Sequence, residues 1–281
     1  MHPTLTLILI VLGSLAAVAV LVTLAVLFML APGRRNAELD KYKSVKYAHR
    51  GLHDGERAEN SLSAFAAAKS EGYGIELDVR LSRGGELVVF HDATLERMTG
   101  ACGRVIDYAA DELKRMNLRD TGEGIPTFRE VLRLIDGAVP LLIEIKQDTD
   151  ESGVAERFIE EIRDYCGDYI VESFNPMALR VLRRARPDIL RGILSMNYMK
   201  NEKYRGKLLY RLLGGLYLNF LMRPDFIAFN REDHSMKNLR YVRRAYGTPL
   251  FAWTVRSEEE ELRALGDGFD TVIFEGYHAS K

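Results

Sequence analysis

Short apolar runs typical of buried β-strands recur from residue 45 onward. They read VKYAH (45–49), GIELDV (74–79), ELVVFH (86–91), PLLIEI (140–145), YIVESF (169–174), ILRGIL (189–194), FIAFN (226–230), LFAWTV (250–255) and DTVIFE (270–275). Most of the intervening stretches have apolar residues at helical spacing, as in 60–72, 127–136 and 153–166. The same spacing continues in 176–185, 236–247 and 257–268. The chain therefore alternates strand-like and helix-like segments.

This alternation predicts a parallel sheet covered by helices, an α/β fold. Of these nine runs we count eight as strands of the alternation, with one repeat irregular near residues 80 to 86. Eight strands in roughly 240 residues match the usual size of a (β/α)₈ barrel. A doubly wound open sheet is the alternative, but no G-x-G-x-x-G follows the first strand. We therefore predict a barrel over residues 45–281.

Two segments do not fit the regular repeat. Residues 92–124 lie between a strand and a helix and are predicted to form a small inserted lobe. Residues 197–225 form a second insertion, which is basic at first and then strongly apolar and aromatic. That composition suits an interfacial helix on anionic lipid. It equally suits a buried helix with a basic solvated face, and both interpretations stay open.

The N-terminal region differs most from the rest of the chain. No charged residue occurs from Leu5 to Ala31, a run long enough to span a bilayer as a helix. A cleaved signal peptide would carry Lys or Arg before a shorter apolar core, and MHPTLT carries neither. We predict an uncleaved membrane anchor over 1–31 and a polar linker over 32–44. Because basic residues follow the anchor closely, the positive-inside rule predicts that the C-terminal domain lies in the cytoplasm.

Composition narrows the remaining function classes. The 281 residues are 47% hydrophobic and 28% charged, enough for one large domain or two small ones. The net charge of -1 argues against nucleic-acid binding, which usually needs a basic surface. Cys102 and Cys166 make neither a disulfide framework nor a zinc cluster.

Carboxylates stand at the ends of two of the predicted strands. Glu76 and Asp78 are two residues apart, so their side chains point to the same face of a strand. Glu144 in LLIEIK repeats this arrangement. In a barrel all three lie at the C-terminal rim, where active sites of this fold are found. Clustered carboxylates suit a hard divalent cation, Mg²⁺ or Ca²⁺, better than zinc.

Histidines and cations occupy neighbouring strand ends. His49 and His91 each end a predicted strand and are suited to act as general acid and general base. Arg50 can bind a phosphate with two hydrogen bonds, and Lys146 adds a second positive charge. A metal beside these cations calls for an anionic substrate, and phosphate is the obvious choice. The predicted reaction class is metal-assisted phosphoryl transfer to water.

Several separate motifs resemble the glycerophosphodiester phosphodiesterase family. They are AHRG (48–51), ENS (59–61), ELDVRLSRGGELVVFHD (76–92), TLERMTG (94–100), IPTFREVL (125–132) and LLIEIK (141–146), followed by the weaker ESF (172–174) and AWTV (252–255). Their order and spacing agree with the family from about residue 45 onward. The resemblance implies a TIM barrel, in agreement with the strand count, with the inserted lobe over its mouth.

The resemblance also implies an activity and residue roles. The activity is hydrolysis of glycerophosphodiesters to glycerol 3-phosphate and an alcohol with a divalent metal. Motif positions make Glu76, Asp78 and Glu144 the metal ligands, His49 and His91 the acid–base pair, and Arg50 and Lys146 the phosphate-binding residues. Glu59 would support the metal or glycerol site. Trp253 would pack against the glycerol, and Phe174 would line the pocket.

Two departures from the family pattern concern recognition of the glycerol moiety. Arg256 stands where the family often has Asn, and FEGYH (274–278) replaces a TDYP-like stretch. Two alternative functions follow. One is a lysophospholipase D acting on membrane lysophospholipids, which the apolar insertion favours slightly. The other is a non-catalytic membrane scaffold, which predicts the loss of a histidine or carboxylate that the chain in fact retains.

Overall fold

The computed structural model describes residues 3–119, 121–148 and 151–280. The predicted anchor (1–31), lobe (92–124) and barrel (45–281) each include residues outside these ranges. Within the described ranges, nine strands form one sheet. The strands are β1 (Tyr47–Ala48), β2 (Gly74–Leu81), β3 (Leu87–Val89), β4 (Leu141–Ile145), β5 (Tyr169–Ser173), β6 (Arg191–Ser195), β7 (Phe226–Asn230), β8 (Leu250–Val255) and β9 (Thr271–Phe274).

All of the described strands except β3 run parallel and close into a barrel. β1 pairs with β2 on one side and with β9 on the other, which leaves no open edge between the first and last strands. Side chains alternate between the interior and the helices, as expected for a pleated strand. Leu77 and Val79 belong to the core facing the helices, whereas Leu142 belongs to the barrel interior. The predicted (β/α)₈ barrel is confirmed.

The strand β3 differs from the prediction. It runs antiparallel to β2, with Val79 opposite Val89 and Leu81 opposite Leu87. Too few residues separate the two strands for a helical crossover, which needs a dozen or more. A tight turn reverses the chain instead, with the Ser82 N–H donating to the Glu86 carbonyl and Gly85 at φ 76°. His91 therefore reaches the rim on the returning arm of a hairpin and not at the end of a parallel strand.

The described ranges contain twelve α-helices, most of which pack around the barrel, whereas the longest projects from it. They are α1 (Pro3–Leu30), α2 (Asp40–Lys43), α3 (Leu62–Glu71), α4 (Glu96–Thr99), α5 (Ala110–Leu113), α6 (Phe128–Ile135), α7 (Val154–Glu161), α8 (Pro176–Ala185), α9 (Leu208–Gly214), α10 (Asn219–Met222), α11 (Lys237–Tyr246) and α12 (Glu258–Gly266). Local sequence sets their starts: Ser61 Oγ accepts from the Ala64 N–H, and Asn175 caps α8 ahead of Pro176.

The inserted lobe packs around its own apolar cluster. Leu95, Met98, Val105 and Leu113 are buried there with Ile125. Met98 belongs to α4, Leu113 to α5 and Val105 to the short 3₁₀ helix Val105–Asp107, whereas Leu95 directly precedes α4 and Ile125 lies in the loop before α6. The lobe follows β3, so it stands beside the hairpin that carries His91.

The segment predicted as a polar linker packs closely against the barrel. Residues 32–44 contain a 3₁₀ helix (Asn36–Leu39) and α2. Leu39 and Tyr42 are buried with interior residues of the barrel at the N-terminal ends of its strands. Arg35 pairs with the buried Asp225 and donates to the carbonyls of residues 188 and 189. The segment thus closes the base of the barrel, because its apolar side chains fill the barrel interior at the N-terminal ends of the strands.

The helix α1 projects from this base. Thr6–Leu30 is long and apolar enough to cross a membrane, and its most apolar 18 residues include none that is buried against the protein. Its last turns touch the barrel: Asn219 Nδ2 donates to the Leu30 carbonyl, and the ring of Phe28 lies 5.6 Å from that of Phe220. The 197–225 insertion is part buried and part exposed, with Met222 buried but Leu208 69% exposed.

Candidate active site

The predicted acidic residues meet at the rim. Glu76 and Asp78 lie on β2 and Glu144 on β4, with Asp78 opposite Glu144 in the strand register. One carboxylate oxygen from each residue lies within 4.8 Å of the others, and all three side chains are buried. Because like charges repel strongly at such distances, a cation between these carboxylates would stabilise their ionised forms. Three hard oxygen donors in one buried place fit Mg²⁺ or Ca²⁺.

One cationic side chain, one backbone N–H and one side-chain amide contact these carboxylates. Lys146 Nζ lies 2.7 Å from Glu144 Oε2 and 3.1 Å from Asp78 Oδ1. The Arg50 backbone N–H donates to Glu76 Oε2 at 2.9 Å. Asn60 Nδ2 donates to Asp78 Oδ2 at 2.8 Å. Each carboxylate is therefore oriented by a specific donor as well as by its strand.

The pKa values of the three carboxyls diverge. Burial raises the pKa of Glu144 to about 7 and that of Glu76 well above its ordinary range. Burial also opposes ionisation of Asp78, but Lys146, His91 and Arg50 outweigh it and lower its pKa. The neighbouring carboxylate charges add to the effect of burial on the pKa of Glu76 and Glu144, and the same charges would attract a metal ion. The donor set therefore fits a divalent cation.

Arg50 is held at the rim by backbone conformation and by an ion pair. It adopts φ 55°, directly before Gly51 at φ 81°, which turns the chain over the barrel mouth. Its Nη1 donates to Glu59 Oε1 at 2.7 Å, and Arg97 donates to the same carboxylate. Glu59 was expected to support the metal or glycerol site. It accepts a hydrogen bond from Arg50 and lies outside the acidic cluster, so its support of the metal or glycerol site stays a prediction.

His49 follows β1 and is oriented by a carboxylate. Its Nδ1 lies 2.6 Å from Glu275 Oε2, while Arg256 Nε donates to Glu275 Oε1 at 2.7 Å. Burial lowers the pKa of His49, and Glu275 opposes that effect. The hydrogen bond from His49 holds the pKa of Glu275 at about 2. A charged Glu275 thus fixes the ring so that Nε2 is left for chemistry.

His91 has a similar arrangement on the other side. Its Nδ1 lies 2.6 Å from Asp92 Oδ1, and the Phe90 N–H donates to the Asp78 carbonyl, which ties the returning hairpin arm to the rim. Burial lowers the pKa of His91 to about 4, although the neighbouring Asp78 charge opposes the shift. Two histidines, each with a carboxylate on Nδ1, therefore flank the acidic cluster.

Aromatic side chains complete the cavity. The rings of Phe174 and Trp253 meet edge to face with centroids 5.5 Å apart, and Lys146 Nζ lies 5.9 Å from the Phe174 centroid. The cavity measures about 160 Å³. Its wall comprises His49, Arg50, Glu76, His91, Glu144, Lys146, Glu172, Phe174, Leu194, Trp253, Thr254, Arg256 and Ile273. All of the predicted site residues except Asp78 and Glu59 therefore line one cavity.

Sequence reasoning missed four contributors. Glu275, Asn60 and Asp92 orient site residues, and Glu172 is a fourth buried carboxylate opposite Glu144 in the strand register. Glu172 Oε2 has no hydrogen-bond partner among the described residues. The alternation of side chains in YIVESF could have predicted that Glu172 faces the same side as the acidic cluster. Glu275 could have been found because it directly follows the last strand, at the same rim.

Comparisons with known proteins agree with this geometry. A model of the glycerophosphoryl diester phosphodiesterase family matches residues 49–276. A glycerophosphodiester phosphodiesterase of Caldanaerobacter subterraneus subsp. tengcongensis is 32% identical over 82% of this chain and 93% of that relative. A crystal structure of the Thermotoga maritima glycerophosphodiester phosphodiesterase is 28% identical, with a TM-score of 0.62 over 82% of this chain and 94% of that chain. An Oleispira antarctica phosphodiesterase, solved with the product sn-glycerol-3-phosphate, is 24% identical with a TM-score of 0.67, over 82% and 92% respectively.

Proposed function

The chain belongs to the glycerophosphoryl diester phosphodiesterase family and hydrolyses glycerophosphodiesters, and we propose that it does so with a divalent metal and two histidines. The products are glycerol 3-phosphate and an alcohol. The observation that carries the proposal is the convergence of the acidic cluster, both histidines and two cations on one cavity. The product complex of the Oleispira antarctica phosphodiesterase supports the same product here.

Glu76, Asp78 and Glu144 would hold the metal, because they supply the buried oxygen donors. A bound divalent cation supplies Lewis-acid stabilisation of the phosphate charge. Arg50 and Lys146 line the same cavity and bind the phosphate oxygens. Phe174 and Trp253 form an apolar wall for the carbon atoms of the glycerol, and they exclude water on that side.

His49 and His91 move the protons. One of them accepts a proton from the attacking water while the other donates a proton to the oxygen of the departing alcohol. The bond from phosphorus to the water oxygen forms, and the bond to the alcohol oxygen breaks. The carboxylates Glu275 and Asp92 hold both rings by Nδ1, which stabilises the protonated form during the transfer.

The test is a panel of glycerophosphodiesters assayed with the full chain in neutral detergent. We expect glycerol 3-phosphate to form, EDTA to stop the reaction, and Mg²⁺ or Ca²⁺ to restore it. His91→Ala should lower kcat by 10²- to 10⁴-fold, the usual contribution of a general acid or base. Full activity of His91→Ala on every diester would disprove the acid–base assignment.

A second candidate activity is that of a lysophospholipase D. Ser195 Oγ donates to the Leu213 carbonyl, so α9 lies level with the C-terminal end of β6 and near the cavity mouth. Leu208 and Leu209 on α9 are 69% and 56% exposed beside basic residues. Such a surface favours a substrate that still carries an acyl chain. Parallel assays on glycerophosphocholine and lysophosphatidylcholine separate the two activities.

We also place the barrel on the cytoplasmic face of a membrane, anchored by α1. Its apolar length supports the anchor, and the basic residues after it support the orientation. Cys102 and Cys166 are exposed free cysteines, so they serve as native probes. In intact cells, a membrane-impermeant maleimide should label neither of them, and permeabilisation should expose both. The full chain should resist alkaline carbonate extraction, as integral proteins do.

A further inference from the structure

A second cleft lies on the outer surface of the barrel, away from the active-site cavity. It measures about 310 Å³ and is lined by Arg180, Arg183, Arg184, Phe220 and Leu221. The arginines come from α8 and the two apolar residues from α10. The cleft thus combines an apolar floor with several guanidinium groups, a combination suited to a ligand that is both anionic and apolar. None of these residues takes part in the proposed reaction.

Two of the arginines are free to bind an anion. Arg183 Nη1 donates to the carbonyls of Phe220 and Leu221, which fixes the two helices together. Arg180 and Arg184 form no ion pair with any residue in the described ranges. Two carboxylates of the adjoining loops are already engaged, Asp188 by Arg186 and Asp225 by Arg35. The positive potential of the cleft is therefore largely uncompensated.

The cleft adjoins the base of the apolar helix α1. Phe220, part of the cleft wall, contacts Phe28 with ring centroids 5.6 Å apart. The guanidinium of Arg223, just beyond α10, lies 4.9 Å from the Phe28 centroid. If α1 spans the bilayer, its last turns stand at the level of the lipid head groups. The cleft then meets the membrane surface directly.

We infer that this cleft binds the head group of an anionic phospholipid, so that the surface formed by α8 and α10 contacts the bilayer. Guanidinium groups bind phosphate oxygens with paired hydrogen bonds. Phe220 and Leu221 contact the upper part of the acyl chains. Met177 is 46% exposed and lies on the same face of α8 as Arg180 and Arg184, which adds an apolar residue to that face. The inference rests on the anchoring proposed above.

The experiment uses the full chain in neutral maltoside micelles, titrated with short-chain phosphatidylglycerol or with the matching phosphatidylcholine. A double variant, Arg180→Gln with Arg184→Gln, removes both free arginines and keeps Arg183. The matched control is Arg115→Gln with Arg133→Gln, two exposed arginines of other elements. Near a lipid surface each arginine contributes about fivefold to binding, so the double variant should bind phosphatidylglycerol about 30-fold more weakly.

Binding of phosphatidylcholine, and hydrolysis of glycerophosphocholine, should be the same in all three proteins. Equal affinity of the double variant and the control for phosphatidylglycerol would overturn the inference. So would displacement of the lipid by millimolar inorganic phosphate, because the cleft would then be a simple anion site. Flotation of the full chain with vesicles of phosphatidylcholine alone tests the anchor separately, because insertion of α1 into a bilayer needs no anionic lipid.

Discussion

Replacing Glu275 with glutamine tests whether a carboxylate outside the acidic cluster controls His49. The two side chains meet at 2.6 Å, and glutamine keeps an oxygen that accepts from Nδ1–H while removing the charge. A charge-assisted hydrogen bond is worth about 1.5–3 kcal/mol. If that energy stabilises protonated His49 during the reaction, kcat should fall about 10- to 150-fold, at about 1.4 kcal/mol per decade. KM should change little, because Glu275 is not proposed to bind the diester.

The pH profile of kcat/KM gives a second measurement. Glu275 opposes the lowering of the His49 pKa by burial, so its replacement should lower that pKa further. If His49 is the base, the acidic limb moves to lower pH, and if it is the acid, the basic limb does. Glu260→Gln is the matched control, because Glu260, on α12, accepts from the backbone N–H of Arg256, the residue whose side chain donates to Glu275. A variant with kcat within twofold of the parent and an unmoved profile would refute the reasoning.

Three further predictions concern metal binding and stability. A divalent metal at 100 times its Kd should raise the free energy of unfolding of the full chain by about 2.7 kcal/mol. Thermal unfolding in EDTA and in excess metal measures this difference, and Asp78→Asn should abolish most of the difference. Leu39→Ala should cost about 2–5 kcal/mol in urea unfolding because it opens a cavity at the barrel base, whereas the exposed Leu262→Ala should cost less than about 0.5 kcal/mol. Burial raises the pKa of Glu261, but hydrogen bonds led by that from Lys46 outweigh it and hold the pKa below 4.5. The contribution of Glu261 to stability is therefore present above pH 4.5 and lost as pH falls through its lowered pKa. Glu261→Gln should make the free energy of unfolding depend less on pH over that acidic range. An unchanged pH dependence of the unfolding free energy would contradict this assignment.

The strand alternation was enough to predict the barrel and its rim. Glu76 and Asp78 stand two apart on a strand, and Glu144 ends the neighbouring one, so the pleat and the parallel register force them together. The same logic did not extend to β3. A strand pattern records which faces are apolar but not the direction of the chain, and the short turn after Leu81 made the strand antiparallel.

Partners that come from distant parts of the chain were not predictable. Glu275 reaches His49 across 226 positions of sequence, so no local pattern links the two residues. The expected polar linker became part of the barrel base, because Leu39 and Tyr42 find an apolar opening that exists only when the sheet closes. No local pattern reports the shape of such an opening.

The sequence by itself determined the apolar N-terminal helix, the eight-stranded barrel and the identity of the acidic, histidine and cationic side chains at its rim. These follow from periodicity and residue chemistry, which are local. Only the tertiary structure decided which carboxylate orients which histidine, how the hairpin returns His91 to the rim, and that three arginines share a cleft beside α1. Those relations depend on distances between segments, and such distances are set by packing of the whole barrel.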